Sequence, residues 1–209
     1  MQPWFETFGV LILALLGIVL GLSIGRVNRK LWIILAMLTV LVIAASLVSF
    51  VTPLAVPVAM RLVLENLQTT FSKDGICIQT TGFTCGPAAA VTALRQLGIE
   101  AQEGKLAITA KCTLKSTTNE LLANAIKKLY GKKGIDCSIR NFGSIDQLKG
   151  NCPLIAGIKL SSVIDHYTAV LEVTDDKVIV GDPIAGKKEW SYEDFKKKWF
   201  SVGIVLKKR

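Results

Sequence analysis

The sequence predicts an α+β domain preceded by two long apolar helices. Three observations lead to this prediction. The first third of the chain holds two long stretches without a charged residue. The middle part has apolar residues at helical spacing, and the last third consists mainly of short β-branched segments between turn residues. Helices followed by strands, without a regular alternation of the two, indicate an α+β arrangement with an antiparallel sheet.

The two uncharged stretches run from Thr7 to Gly25 and from Leu31 to Met60. Each supplies the roughly 20 apolar residues that a helix needs to span a bilayer. A secretory signal peptide would begin with basic residues, and the first six residues contain none. We therefore predict a membrane anchor in residues 1–60, with transmembrane helices at about 7–25 and 31–52. A signal peptide or a buried core helix is the alternative interpretation.

The segment between the two predicted spans, Arg26 to Lys30, holds three cations and no anion. Short basic loops remain on the cytoplasmic side. The chain beyond the second span would then lie outside the cytoplasm, and both spans would contact membrane lipid. Pro53 and Pro57 predict the end of the second helix. Residues 61–71 are interpreted as a connector and residues 72–209 as the folded domain.

The chain is basic, with a formal net charge of +9. Its cations are dispersed apart from Lys196 to Lys198 and Lys207 to Arg209, and no aromatic residues accompany them in a nucleic-acid-binding motif. We therefore expect a solvated basic surface near anionic lipid and no nucleic-acid partner.

Within the domain, turn and capping residues mark the elements. Pro87 fits the first turn of a buried helix that Gly98 ends. Thr117 and Glu120 form a capping-box pattern before a second helix, and a short helix is predicted after Ser144. Strands are predicted at 153–160, 167–173, 177–180 and 203–206, and a last helix at 191–199.

Cys85 and His166 are the candidates for nucleophilic chemistry. Cys85 comes directly before the buried helix, whose N-terminus favours a thiolate and a developing oxyanion. Gly86 would allow the substrate backbone to approach closely. His166 is the sole histidine of the sequence, so a histidine base has no other candidate. The alternatives are a buried structural cysteine and a histidine that serves only the fold.

Asp182 and Gln79 could complete such a site. Asp182 follows His166 by one hairpin, so the two residues can lie on neighbouring strands, where a carboxylate would orient the imidazole. Asp165 and Asp176 are weaker candidates for that role. The side-chain amide of Gln79 could complete an oxyanion hole with the Cys85 backbone N–H. A Gly-Asp-Pro turn and a surface glutamine are the structural alternatives.

The sequence does not indicate a metal site. It contains five cysteines and one histidine, and no two cysteines form a CxxC pair. In an oxidising compartment, the four cysteines other than Cys85 could form one or two disulfides. In a reducing compartment, they would be small apolar residues. They are Cys77, Cys112, Cys137 and Cys152.

Taken in order, Gln79-x5-Cys85-Gly86-Pro87, Asp165-His166-Tyr167 and Gly181-Asp182-Pro183 resemble the C39 family of papain-like cysteine peptidases, the bacteriocin-processing type. The resemblance covers about Gly75 to Leu206. It implies a papain-like fold and hydrolysis of a peptide or protein substrate without a metal or cofactor. It also implies that Cys85 is the nucleophile, His166 the general base, Asp182 its orienter and Gln79 part of the oxyanion hole.

The sequence departs from the transporter-linked members of that family. The predicted membrane helices precede the domain, and these 209 residues contain no Gly-x4-Gly-Lys-Ser/Thr phosphate loop. ATP-driven export is therefore not expected of them, and a separate peptidase tethered to a bacterial inner membrane fits these departures better. Two other functions remain open, namely another papain-like amide hydrolysis or transamidation, and a catalytically inactive module that binds peptides or partners.

Overall fold

The computed structural model describes Gly17 and residues 29–161 and 164–209. The chain divides into two compact units, Met1–Met60 and Arg61–Arg209. The predicted span at 7–25 lies outside the described residues except for Gly17.

The first described helix, α1, runs from Arg29 to Glu65. It continues past Pro53 and Pro57, where the sequence predicts an end. A proline removes one backbone hydrogen bond and can bend a helix without ending it. Many of its described apolar side chains between Ile33 and Val63 are exposed. In the part of the chain that the structure describes, no helix combines the length and the apolar character needed to cross a membrane.

Four helices belong to the second unit, and they form where the sequence supplies start and stop signals. Thr118 caps the helix that begins at Asn119, because its hydroxyl accepts a hydrogen bond from Leu121 N at 3.3 Å. The predicted capping residue, Thr117, instead donates to the carbonyl of Ala110. The helices are α2 (Cys85–Gln96), α3 (Glu103–Thr109), α4 (Asn119–Tyr130) and α5 (Tyr192–Lys198), with 3-10 turns at Gly131–Lys133 and Ile145–Leu148.

A six-stranded antiparallel sheet forms the other half of this unit. Its strands are β3 (Ile135–Asn141), β4 (Leu154–Lys159), β5 (Asp165–Val173), β6 (Lys177–Asp182), β7 (Gly186–Ser191) and β8 (Trp199–Lys208). Their order is β3-β8-β4-β5-β6-β7, so β4 and β5 lie at the centre. A separate two-stranded pair joins β1 (Thr70–Phe71) and β2 (Cys77–Ile78). The predicted α+β class with an antiparallel sheet is confirmed.

The sheet buries both of its faces, because side chains alternate along each strand. Ile155 and Ala169 pack with α2, α3 and α4 on one face. Leu154 and Val170, one residue away from them in each strand, pack with Phe195 of α5 on the other face. This double burial holds β4 and β5 rigidly, and the N-terminal end of β5 carries His166.

All five cysteines are free thiols, so no disulfide joins them in the described structure. Cys77, Cys112 and Cys137 lie in the core cluster beneath α2 to α4. Burial is the main reason that the pKa of Cys77 and Cys112 is raised to about 12 and that of Cys137 to about 11. In the described structure Cys77, Cys112 and Cys137 pack as small apolar side chains.

Candidate active site

Cys85 is the first residue of α2, at the end of the loop that begins at Gln79. The first N–H groups of a helix have no acceptor within the helix, and they give this end a partial positive charge. The side chain is almost completely buried, with 4% of the residue exposed. The thiol therefore lies in a protected position where nearby donors can stabilise its charged form.

His166 lies on β5 opposite Ile158 of β4 and is also 4% exposed. Its Nε2 is 3.1 Å from Oδ1 of Asp182, the last residue of β6. β5 and β6 are hydrogen-bonded neighbours, as the sequence predicts for these two residues. Of the two weaker candidates, Asp165 is exposed and Asp176 accepts a hydrogen bond from Thr174 in the β5–β6 turn.

Asp182 is held as a carboxylate from three directions. The backbone N–H of Ile184 donates to Oδ1 at 2.8 Å, and the ammonium of Lys188 donates to Oδ2 at 3.1 Å. Burial acts to raise the pKa of this carboxyl, but the hydrogen bonds from His166, Ile184 and Lys188 outweigh it and hold the pKa well below its usual range. Asp182 therefore presents a fixed negative charge to the imidazole.

The thiol of Cys85 and the ring of His166 shift each other's charge state. Burial acts to raise the pKa of Cys85, yet hydrogen bonding with the His166 side chain and the Tyr167 backbone lowers it below its ordinary value. Burial acts to lower the pKa of His166, but Asp182 and Cys85 raise it to about 9. Because Nε2 is engaged by Asp182, Nδ1 is the nitrogen left for the thiol. The arrangement favours a thiolate–imidazolium pair.

Gln79 lines the same groove as Cys85 and His166. Its backbone N–H donates to the carbonyl of Pro183 at 2.9 Å, which ties it to the turn after Asp182. One N–H of its side-chain amide donates to the carbonyl of Thr81 at 2.9 Å, and this leaves the second N–H for another acceptor. Its Oε1 is buried and finds no hydrogen-bond partner among the described residues. All four predicted site residues are thus brought together.

The sequence profile of the peptidase C39 family matches residues 73–209. The chain belongs to the peptidase C39 family. A protein of Methanothermobacter marburgensis is 31% identical over 123 residues, which cover 58% of this chain and 80% of that protein.

Two solved structures are similar in fold to the C39 domain. The peptidase domain of Streptococcus ComA, a bifunctional ABC transporter involved in quorum sensing, has a TM-score of 0.56 at 22% identity, over 63% of this chain and 96% of that one. A double-glycine-motif protease from an AMS/PCAT transporter, solved with a leader peptide, has a TM-score of 0.55 at 12% identity. That match covers 68% of this chain and 93% of the protease.

Two contacts of Cys85 in the C39 domain are not predicted from the sequence. The hydroxyl of Ser116 lies 3.8 Å from the Cys85 sulfur, and its residue has a φ of 70°, which non-glycine residues rarely adopt. The backbone N–H of Tyr167 contributes to lowering the pKa of the thiol. The hydroxyl of Tyr167 in turn donates to Asn119 Oδ1 at 3.0 Å. The position of Tyr167 directly after His166 could have suggested its contact with the thiol, whereas no sequence pattern indicates Ser116.

Gly86 has a packing role that its position beside Cys85 does not indicate. A Cβ at this residue would lie 3.2 Å from side-chain carbons of both Leu122 and Tyr167, and 3.3 Å from one of Thr117. The missing side chain therefore lets α2 pack closely against α4 and β5. The expectation that Gly86 also lets the substrate backbone approach closely stays a prediction.

The groove in front of Cys85 has a volume of about 620 Å³ and an apolar rim. Its charged lining residues are Lys115, Asp165 and His166, in the part of the chain that the structure describes. Large apolar side chains on its rim are exposed, namely Leu114, Leu160, Ile164, Ile184 and Phe200. A groove of this kind suits an extended peptide with apolar side chains.

Proposed function

We propose that this C39 domain is an active thiol peptidase with Cys85 as its nucleophile. The observation that supports the proposal best is the buried imidazole of His166, which lies between the Asp182 carboxylate and the Cys85 thiol. Proton transfer needs groups within hydrogen-bond reach, and a carboxylate behind the ring keeps it in the orientation that serves the thiol.

The reaction starts from the thiolate–imidazolium pair. The Cys85 sulfur attacks a peptide carbonyl carbon, and the carbonyl oxygen becomes an oxyanion. The backbone N–H of Cys85 and the free amide N–H of Gln79 stabilise that charge. His166 gives its proton to the leaving amine, and the C–N bond breaks. A water molecule then gives a proton to His166 while its oxygen attacks the thioester carbonyl; the C–S bond breaks, the carboxylic acid leaves, and the thiolate–imidazolium pair is restored.

The substrate that we propose is a peptide with apolar side chains near the bond that is cut. The apolar rim around the groove supports this choice, since such side chains would bury exposed rim residues such as Phe200 and Ile164. A structural relative was solved with a leader peptide, and cleavage of a leader peptide is the corresponding proposal for this chain.

The test is hydrolysis of peptides that carry an apolar segment before two glycines, the motif in the name of that structural relative, followed by mass spectrometry. The wild-type protein should cut them, whereas Cys85→Ala and His166→Ala should not. Cys152→Ala, which removes a half-buried thiol outside the groove, is the matched control and should retain activity. Labelling of Cys85 by iodoacetamide should be slower in His166→Ala, and an equal rate would contradict the assigned base.

The same experiment separates the other two functions. Transfer of the acyl group to an added amine, with little hydrolysis, would indicate a transamidase. A binding module would retain peptide affinity and its cellular role in Cys85→Ala and would yield no product in the wild type.

We also propose that residues 1–60 anchor the peptidase to a membrane, with the domain outside the cytoplasm. The support comes from the two uncharged stretches, the basic segment between them, and the exposed apolar side chains of α1. The protein should remain in the membrane fraction after alkaline carbonate washing. Protease added to intact spheroplasts should digest the domain, and full protection of the domain would reverse the orientation.

A further inference from the structure

Glu103 is a completely buried residue at the start of α3, and it does not line the groove in front of Cys85. Its Oε1 accepts a hydrogen bond from the backbone N–H of Thr80 at 2.9 Å, and its Oε2 lies 2.7 Å from the Thr80 hydroxyl. Burying a carboxylate is costly unless hydrogen bonds compensate for the lost water. Both oxygens of Glu103 therefore act on one residue, Thr80.

Thr80 is the residue directly after Gln79, so these bonds hold the segment that carries the proposed oxyanion donor. On its other side, the backbone N–H of Gln79 donates to Pro183 at 2.9 Å. The Gln79–Thr80 segment is thus fixed between the turn that follows Asp182 and the buried end of α3. The Glu103 backbone N–H also donates to Thr69 Oγ1 at 2.9 Å, which anchors the first turn of α3.

We infer that Glu103 is a positioning residue for the oxyanion hole and that it acts through Thr80 on Gln79. This inference rests on the proposed peptidase function. An oxyanion donor contributes about 10²- to 10³-fold in rate, and a displacement of about 1 Å can remove most of such a contribution. Loss of the Glu103–Thr80 bonds would let the Gln79 amide shift while Cys85, His166 and Asp182 keep their places.

Three substitutions test the inference. Glu103→Leu removes both hydrogen bonds. Thr80→Val replaces an exposed residue with one of similar shape and keeps the backbone N–H, so it is the milder change and, of the two bonds to Glu103, removes only the bond to Oε2. Glu103→Gln retains an acceptor for Thr80 N, and its amide can donate to Thr80 Oγ1, whose own hydrogen then goes to the Gln68 carbonyl 3.0 Å away. Glu100→Leu, at an exposed residue nearby, is the control.

We expect kcat for peptide hydrolysis to fall about 10- to 100-fold in Glu103→Leu and about threefold or more in Thr80→Val, with KM little changed. Glu103→Gln and Glu100→Leu should stay within about twofold of the wild type. Alkylation of Cys85 by iodoacetamide forms no oxyanion, so its rate should be unchanged in all four variants. Equal losses of alkylation and hydrolysis would mean a merely structural role and would overturn the inference, as would a Glu103→Gln variant as slow as Glu103→Leu.

A double-mutant cycle with Gln79→Ala completes the test. If Glu103 acts through Gln79, Glu103→Leu should add little to the loss already caused by Gln79→Ala. If the rate losses of the two single variants instead multiply in the double variant, Glu103 does not act through Gln79. Absence of hydrolysis in the wild type would contradict the proposed function itself, whereas an active wild type with fully active Glu103→Leu and Thr80→Val variants would remove only the positioning role.

Discussion

Replacement of Asp182 with asparagine tests whether the buried carboxylate sets the charge of the His166 ring. The substitution preserves the shape of the side chain. Its Oδ1 can still accept hydrogen bonds from the imidazole and from Ile184 N, which lie 3.1 Å and 2.8 Å away in the wild type. The substitution removes the negative charge of a side chain that is only 3% exposed.

The size of the effect follows from the pKa of the ring. Burial acts to lower the pKa of His166, yet it rises from 6.5 to about 9, and the hydrogen bond to Asp182 is the largest contribution that raises it. Since one pKa unit corresponds to about 1.4 kcal/mol, the surroundings favour the charged ring by about 3 kcal/mol net. A close opposite charge changes a pKa by about one to three. In Asp182→Asn, His166 should therefore lose its proton about one to two pH units lower.

The measurement is kcat/KM for peptide hydrolysis as a function of pH. Activity of the wild type should rise as Cys85 ionises and should fall as His166 deprotonates near pH 9, because the leaving amine then receives no proton. The pH at which activity falls on the alkaline side, here called the alkaline limit, should be lower in Asp182→Asn. The rate at neutral pH should drop about 10²- to 10⁴-fold.

Lys188→Met provides the control, because the Lys188 ammonium lies 3.1 Å from the other oxygen of Asp182 and competes with His166 for its charge. Its removal should leave the alkaline limit at or above the wild-type value. An alkaline limit in Asp182→Asn that coincides with that of the wild type would refute the role assigned to the carboxylate.

Three further predictions concern stability and packing. Gly86→Ala should lower the free energy of unfolding in a urea titration by about 1–3 kcal/mol, because the added Cβ presses on Leu122 and Tyr167. It should also slow the alkylation of Cys85. Gly131→Ala, where a Cβ meets open space, should change neither measurement. Phe195→Ala should cost about 3–5 kcal/mol by thermal unfolding, because the fully buried ring lies 5.5 Å from that of Trp199, and an undestabilised variant would contradict its place in the core. The lowered pKa of Asp182 stabilises the fold above the unfolded-state value of 3.8, and this contribution is lost as pH falls towards the folded-state value. The free energy of unfolding should therefore fall less steeply with decreasing pH in Asp182→Asn than in the wild type.

Local sequence signals predicted the parts of the fold that depend on neighbours in the chain. Pro87 and Gly98 mark the ends of α2 because they act on backbone conformation within one turn. The β-branched segments of β4, β5 and β6 are recognised because these strands are buried in the sheet. The order of Gln79, Cys85, His166 and Asp182 was sufficient to predict that they lie together, and their catalytic roles remain proposals.

The sequence did not predict elements whose formation depends on distant partners. β7 and β3 are edge strands with many exposed polar residues, and they form by pairing with β6 and β8. β8 begins at Trp199, where the sequence predicts the end of a helix, because pairing with Ile158 of β4 extends the strand. Glu103 is polar, and only the tertiary contact with Thr80 explains its burial.

The comparison of Cys85 with Cys112 explains why the Thr-Cys-Gly-Pro segment alone does not make a nucleophile. Both residues are 4% exposed, so each thiol pays a similar cost for ionisation in the protein interior. Burial raises the pKa of Cys112 to about 12, whereas the pKa of Cys85 is lowered. The difference comes from the partners of Cys85, namely His166, the backbone of Tyr167 and the Ser116 hydroxyl. All three are supplied by β5 and by the segment before α4, at least 31 residues away in sequence. The reactivity proposed for Cys85 is therefore a property of the folded contact between the helical half and the sheet, and any change that separates these two halves should leave Cys85 as unreactive as Cys112.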